Sequence, residues 1–155
     1  MMIDISIRLR DELVAAARGS VDEVCGLLLG RGERVERVLP CRNVAATPAT
    51  RFELDPAALL AAHRAARAGG PAVLGHYHSH PSGDARPSAR DAADAAPDGS
   101  LWLIVAGGAV SAWRAIVDGT LHGRFDAVAM RDGGCGAGHE PPQGGDSPAR
   151  SVFPT

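Results

Sequence analysis

Lysine is absent from this chain: all 16 basic residues are arginine, set against 18 acids for a net charge of -2. With no basic excess and no basic stripe, the sequence lacks the electrostatic footprint of a nucleic-acid binder. Cysteine is scarce. Cys25, Cys41 and Cys135 are odd in number and show no C-x-x-C spacing, which excludes a disulfide framework and fits a reducing compartment. Met1-Met2-Ile3-Asp4-Ile5 offers neither a basic start nor a following apolar region, so no signal peptide is expected. Leu101 to Trp113, the most apolar uncharged stretch, has 13 residues and is broken by Gly107-Gly108, too short to cross a bilayer. The expectation is a cytoplasmic protein with neither nucleic acid nor membrane as partner.

What is present is enough for one domain. At 155 residues the chain can bury about two thirds of the surface its unfolded form exposes, so it needs no structural metal. Any metal would be there for function. Six glycines and four prolines fall in Gly133 to Thr155, without an apolar period. Such a segment cannot offset its ordering entropy, and the reading is a domain over 1–131 with a disordered tail over 132–155. Cys135 and His139 lie in that tail.

Within the domain, Ile3, Ile5 and Ile7 alternate as on a strand, and Leu9 to Arg18 favours a helix. Val24 to Leu29 reads as a buried strand with Arg34 to Leu39 as its antiparallel partner. A loop over Asn43 to Thr50 and a short strand over Arg51 to Leu54 lead to Asp55-Pro56, a cap and first-turn proline that open a helix running to Gly69-Gly70. Ala72 to His80 is a central strand, and a further helix starts at Ser88. Leu101 to Ala106 and Val110 to Val117 form a hairpin, and Thr120 to Val128 adds one more strand. Strands and helices in this order make a mixed sheet with a few helices, in the α/β or mixed α+β class.

Gly75-His76-Tyr77-His78-Ser79-His80-Pro81 holds three of the six histidines. Alternate strand residues face one way, so His76, His78 and His80 share a face at about 6 to 7 Å per step. Two of them can hold one ion. A catalytic zinc site wants a third protein ligand and an open position. His76 is one candidate, but the outer histidines stand about 13 Å apart by strand rise. Asp91 is the other and is preferred. Ser88-Ala89-Arg90-Asp91 also has the form of a capping box, which by itself needs no metal.

His78-x-His80-Pro81, with seven residues between His80 and Ser88, then Ser88-x-x-Asp91 resembles the signature of the JAMM (Jab/MPN domain) metalloproteases. Glu23-Val24-Cys25-Gly26 followed by Leu27-Leu28-Leu29-Gly30 matches the upstream glutamate of that family, and Phe52-Glu53-Leu54-Asp55-Pro56 resembles its small, stand-alone prokaryotic members. The resemblance runs from about Ile3 to Val128. It implies a central mixed sheet flanked by helices, with Jab/MPN-type, cytidine-deaminase-like layering. It further implies Zn2+ held by His78, His80 and Asp91, with Glu23 as general base and Ser88 as donor to the oxyanion. Zinc in such a site brings the pKa of a bound water to about 7 and polarises the scissile carbonyl. The implied reaction is hydrolysis of a peptide or isopeptide bond, with a ubiquitin-like or sulfur-carrier protein as substrate. Its extended tail could lie along a sheet edge.

Two rival readings stand beside it. A non-catalytic MPN-type interaction module would keep the motif without turnover. A cupin-like site also begins with H-x-H but would need His122 as a ligand and a glutamate soon after His80, where the next is Glu140. The remaining residues have ordinary roles: Cys25 in the core, His76 behind the ligands or at the strand start, His63 and His122 as isolated structural histidines, and Trp102 and Trp113 in packing. Asp84 and Asp94 flank the site.

Overall fold

A computed structural model of the chain describes residues 1–133. The expected tail, with Cys135, His139 and Glu140, lies outside the described residues except for Asp132 and Gly133. Short β1 (Met2–Asp4) leads to α1 (Ile7–Ala17), whose cap is Ser6, accepting the Leu9 N–H at 3.1 Å. Ile7 therefore begins a helix instead of extending the strand, because Ser6, itself still extended, caps the first turn. β2 (Cys25–Arg31) and β3 (Arg34–Cys41) form the expected antiparallel pair. Asp55 caps α2 (Pro56–Arg67) by accepting the Ala57 N–H. The segment before it makes one bridge, Asn43 to Leu54, and no strand. β4 (Ala72–Ser79), α3 (Ala89–Asp94), β5 (Leu101–Ala106), β6 (Ala109–Gly119) and β7 (Gly123–Arg131) complete the domain. The last strand starts three residues later than the sequence suggests, because Asp118 and His122 adopt positive φ in the turn.

The strands lie in the order β1-β3-β2-β4-β5-β6-β7, and β7 returns to β1, so the sheet closes. It is mixed: β4 runs parallel to β5 across the α3 connection, β1 runs parallel to both β7 and β3, and the other pairs are antiparallel. This is the point at which flat, flanked layering gives way: Met2, Ile3 and Asp4 pair with Ala129, Met130 and Arg131 and join the two ends. One side of the closure is thin, since β1 meets β3 only at Asp4 and Arg34. The outer edge of β3 is guarded by charges and Pro40, which has no N–H to offer, so it does not invite a further strand.

Alternation along the strands sorts two faces. Leu28, Tyr77, Leu101, Leu103 and Val105 join Ile3, Ile5 and Leu13 of α1 in the main core. Gly26 is required beside Tyr77, because a Cβ there would overlap the tyrosine ring and the Leu39 carbonyl. On the other face Leu27 and Leu29 pack with Ala62 of α2, while Trp102, Phe125 and Ala95 form a smaller cluster with Phe52. His76 and His78 emerge on this second face. No helix among the described residues is long and apolar enough to cross a membrane.

Candidate metal centre

His78 sits near the end of β4, and His80 lies just past it with its backbone still held in line. The Ser79 N–H donates to the Val24 carbonyl and the His80 N–H to the Val105 carbonyl, both at 2.9 Å. The two rings therefore share a face, and their Nε2 atoms approach to 3.0 Å. Asp91 comes in from the first turn of α3, with Oδ2 3.1 Å from His80 Nε2 and Oδ1 3.4 Å from His78 Nε2. A complete capping box fixes it there: the Asp91 N–H donates to Ser88 Oγ at 3.0 Å and the Ser88 N–H to Asp91 Oδ2 at 2.8 Å. Capping and convergence on the histidines occur together. All three residues are buried.

The donor set fits a metal ion. His80 Nδ1 stands 2.7 Å from the Asp84 carbonyl oxygen, which can only accept, so in the neutral ring Nε2 carries the lone pair. That lone pair faces another imidazole nitrogen and a carboxylate. Only a cation or a proton between them relieves the repulsion. Two ligands each 2.0–2.1 Å from one tetrahedral zinc stand about 3.3 Å apart; the two Nε2 atoms stand 3.0 Å apart and each has one oxygen of the Asp91 carboxylate, Oδ1 for His78 and Oδ2 for His80, within 3.4 Å. Two imidazole nitrogens and one carboxylate oxygen leave a fourth position open.

Burial alone would raise the Asp91 carboxyl, but hydrogen bonding to His78 and His80 outweighs it and holds the group well below the usual range. Burial pushes His78 down. The same burial is overcome at His80 by Asp91, the Asp84 carbonyl and Glu23, which raise it.

Glu23 precedes β2 and is held by its backbone. Its N–H donates to the Pro48 carbonyl at 2.7 Å, and its own carbonyl accepts from Asn43 Nδ2 at 2.8 Å. The side chain is buried, with no hydrogen-bond partner for Oε2 among the described residues. Burial pushes its carboxyl up to about 7, with His80 pulling the other way and Asp91 reinforcing the rise. Glu23, His80 and Ser88 line one cleft of about 260 Å³ together with Thr50, Asp84 and Arg86.

Asn43 and Phe52 had no role in the sequence reading beyond loop and motif. A hub asparagine carries no periodic signal, and the stacking of Phe52 on His78 at 4.2 Å brings together residues far apart in the chain. Other candidates fall outside the group. His76 packs edge-on against Trp102 at 4.2 Å and is held neutral by burial, which lowers its pKa to about 3. His63 lines a separate cleft. His122 lies in a turn with Nε2 3.2 Å from the Pro87 carbonyl, so it gives no ligand to a cupin-like site. Cys25 is a core thiol that burial pushes up to about 12. Asp84 pairs with Arg86 at 3.3 Å and Asp94 with Arg51 at 3.7 Å, at the surface.

Two strand histidines and a carboxylate at a helix start define a candidate mononuclear metal centre, and the buried Glu23 lines the cleft onto which His80 opens. The chain belongs to the prokaryotic homologues of the JAB domain, whose family model matches residues 6–116. It is 47% identical over 78 residues to a Thermus thermophilus protein named probable TtuB-protein conjugate cleaving protease, covering 50% of this chain and 52% of that one. The match thus spans about half the length of that relative. A desampylase of Haloferax volcanii is 37% identical over 102 residues, covering 61% of this chain and 73% of the relative. The solution structure of a Desulfitobacterium hafniense protein superposes with a TM-score of 0.69 at 30% identity, covering 85% and 94% of the two chains. A JAB1/MPN domain protein from Archaeoglobus fulgidus shares the fold, with a TM-score of 0.53 at 20% identity over 84% and 98%.

Proposed function

We propose that the chain is a zinc-dependent metallopeptidase that hydrolyses a peptide or isopeptide bond at the C-terminus of a ubiquitin-like or sulfur-carrier protein. The observation that carries this reading is the convergence of His78 Nε2, His80 Nε2 and the Asp91 carboxylate within 3.4 Å, with the buried Glu23 lining the cleft onto which His80 opens. His78, His80 and Asp91 would hold the zinc. When bound, the ion supplies a Lewis acid for the scissile carbonyl and an acidified water.

The chain's own groups do the rest. Glu23 Oε2 accepts the proton of the attacking water and returns it to the leaving amine, a task suited to a carboxyl whose proton affinity lies near neutral pH. Ser88 Oγ accepts the Asp91 N–H while its own hydrogen remains free to donate to the developing oxyanion. The names of the relatives, a probable TtuB-protein conjugate cleaving protease and a desampylase, support a protein conjugate as the substrate. Three cysteines without a C-x-x-C pair fit a reducing cytoplasm.

The test is a small ubiquitin-fold protein ending in Gly-Gly, joined through that terminus to a reporter. The zinc-loaded wild type should release the reporter, and Glu23→Gln should keep its zinc while losing about 10²–10⁴ in rate. Binding of the substrate without cleavage by zinc-loaded wild type would instead make this an interaction module.

A further inference from the structure

The two histidines are oriented by different means. His80 donates its Nδ1–H to the Asp84 carbonyl at 2.7 Å, whereas His78 Nδ1 is buried with no hydrogen-bond partner among the described residues. A ligating imidazole almost always donates its second ring N–H to a carbonyl, carboxylate or water, and that bond fixes both tautomer and ring rotation. Torsion about Cβ–Cγ in histidine is soft. Something else must hold the His78 ring.

The restraint on the His78 faces is aromatic. Phe52 stacks on the ring with centroids 4.2 Å apart and planes 16° from parallel. Trp102 meets the ring edge-on at 5.7 Å and 86°, and Phe52 in turn meets Trp102 at 6.0 Å and 80°. Rotation of His78 about Cβ–Cγ would drive its edge into the phenyl face. The phenyl group is itself held through the residues on either side of it. Asn43 Nδ2 donates to the Arg51 carbonyl at 3.0 Å, and Asn43 Oδ1 accepts the Glu53 N–H at 3.1 Å. The same amide donates to the Glu23 carbonyl at 2.8 Å. One asparagine thus anchors the loop that carries Phe52 and the backbone that carries Glu23.

We infer that Phe52, anchored by Asn43, is a positioning residue that sets the ring orientation of His78 by stacking, where no described residue offers Nδ1 a hydrogen bond. This rests on the reading of His78 as a metal ligand. Loss of a partner behind a ligand typically costs about 10–100-fold in metal affinity, and loss of the stack should fall in that range.

The experiment measures zinc affinity by competition with a chromophoric chelator and records the visible spectrum of the Co2+-substituted protein. It uses wild type, Phe52→Leu, Phe52→Met and Phe52→Tyr, each checked by thermal melting. Methionine fills much of the volume without a ring face, so it keeps the test open if the leucine variant does not fold. Phe52→Leu and Phe52→Met should bind zinc about 10–100-fold more weakly and shift the cobalt bands, while Phe52→Tyr should stay close to wild type. A folded leucine or methionine variant with wild-type affinity and spectrum overturns the inference, as does a tyrosine variant that falls as far as leucine. Wild type that takes up neither ion overturns the metal-centre reading and this inference with it.

Discussion

Asp91 holds two places at once, which makes its substitution the sharpest test of the site. Its carboxylate closes the capping box of α3 and also stands 3.1 Å from His80 Nε2 and 3.4 Å from His78 Nε2. Asp91→Asn keeps the shape, and its amide oxygen can still accept the Ser88 N–H. The cap loss should therefore stay below the about 0.5–2 kcal/mol that removing a capping side chain costs. In a domain of this size 1 kcal/mol moves the melting temperature by about 2–5 °C, so the variant should fold. What it loses is the charge that balances a cation between two imidazoles. Substitution behind a ligand already costs about 10–100-fold in affinity, so loss of the ligand itself should weaken zinc at least about 100-fold.

The assay is zinc per chain after equilibration in a zinc buffer, with melting curves taken in the presence and absence of EDTA. An ion at 100 times its Kd stabilises the native state by about 2.7 kcal/mol. Chelation should therefore lower the wild-type melting temperature by on the order of 10 °C and leave Asp91→Asn nearly unmoved. Equal zinc and an equal EDTA response in the two proteins would refute the reasoning, reduce Asp91 to a helix cap and require another third ligand.

Ser88→Ala should keep its zinc, lose about 1 kcal/mol from the missing cap and turn over about 10²–10³-fold more slowly; an unchanged rate would deny it the oxyanion role. Gly26→Ala should lower the urea midpoint by the equivalent of about 1–3 kcal/mol, because the added methyl meets the Leu39 carbonyl and the Tyr77 ring. An unshifted midpoint would mean that the approach of β2 to Tyr77 is not needed. At the closure, Arg131 hydrogen-bonds Asp4 at 2.6 Å and holds its carboxyl below the usual value. A depressed carboxyl stabilises the fold above its unfolded pKa of about 3.9 and loses that effect as pH falls through its folded pKa. Asp4→Asn should therefore melt lower than wild type at pH 7 and alike in strong acid. A difference independent of pH would assign the effect to packing.

The reach of the sequence is clearest at the histidine strand. Alternation put His78 and His80 on one face, and the spacing to Ser88-x-x-Asp91 supplied both a helix cap and a carboxylate near them. These are local rules of strand and helix, legible without the fold. The glycine turns at Gly69-Gly70 and Gly107-Gly108 likewise marked element ends, and the capped helix at Asp55-Pro56 began where its cap said it would.

Local rules could not close the sheet. That depends on three residues of β1 meeting Ala129, Met130 and Arg131, a contact across almost the whole domain that no periodicity encodes. Those rules preferred Asp91 to His76 on strand rise and the helix start, but whether its carboxylate reaches the histidines depends on the fold bringing α3 back over the end of β4. The roles of Asn43 and Phe52 belong to the same class. A residue's type and its neighbours along the chain determine whether it can ligate, cap or stack; what it meets is decided when distant segments are packed together.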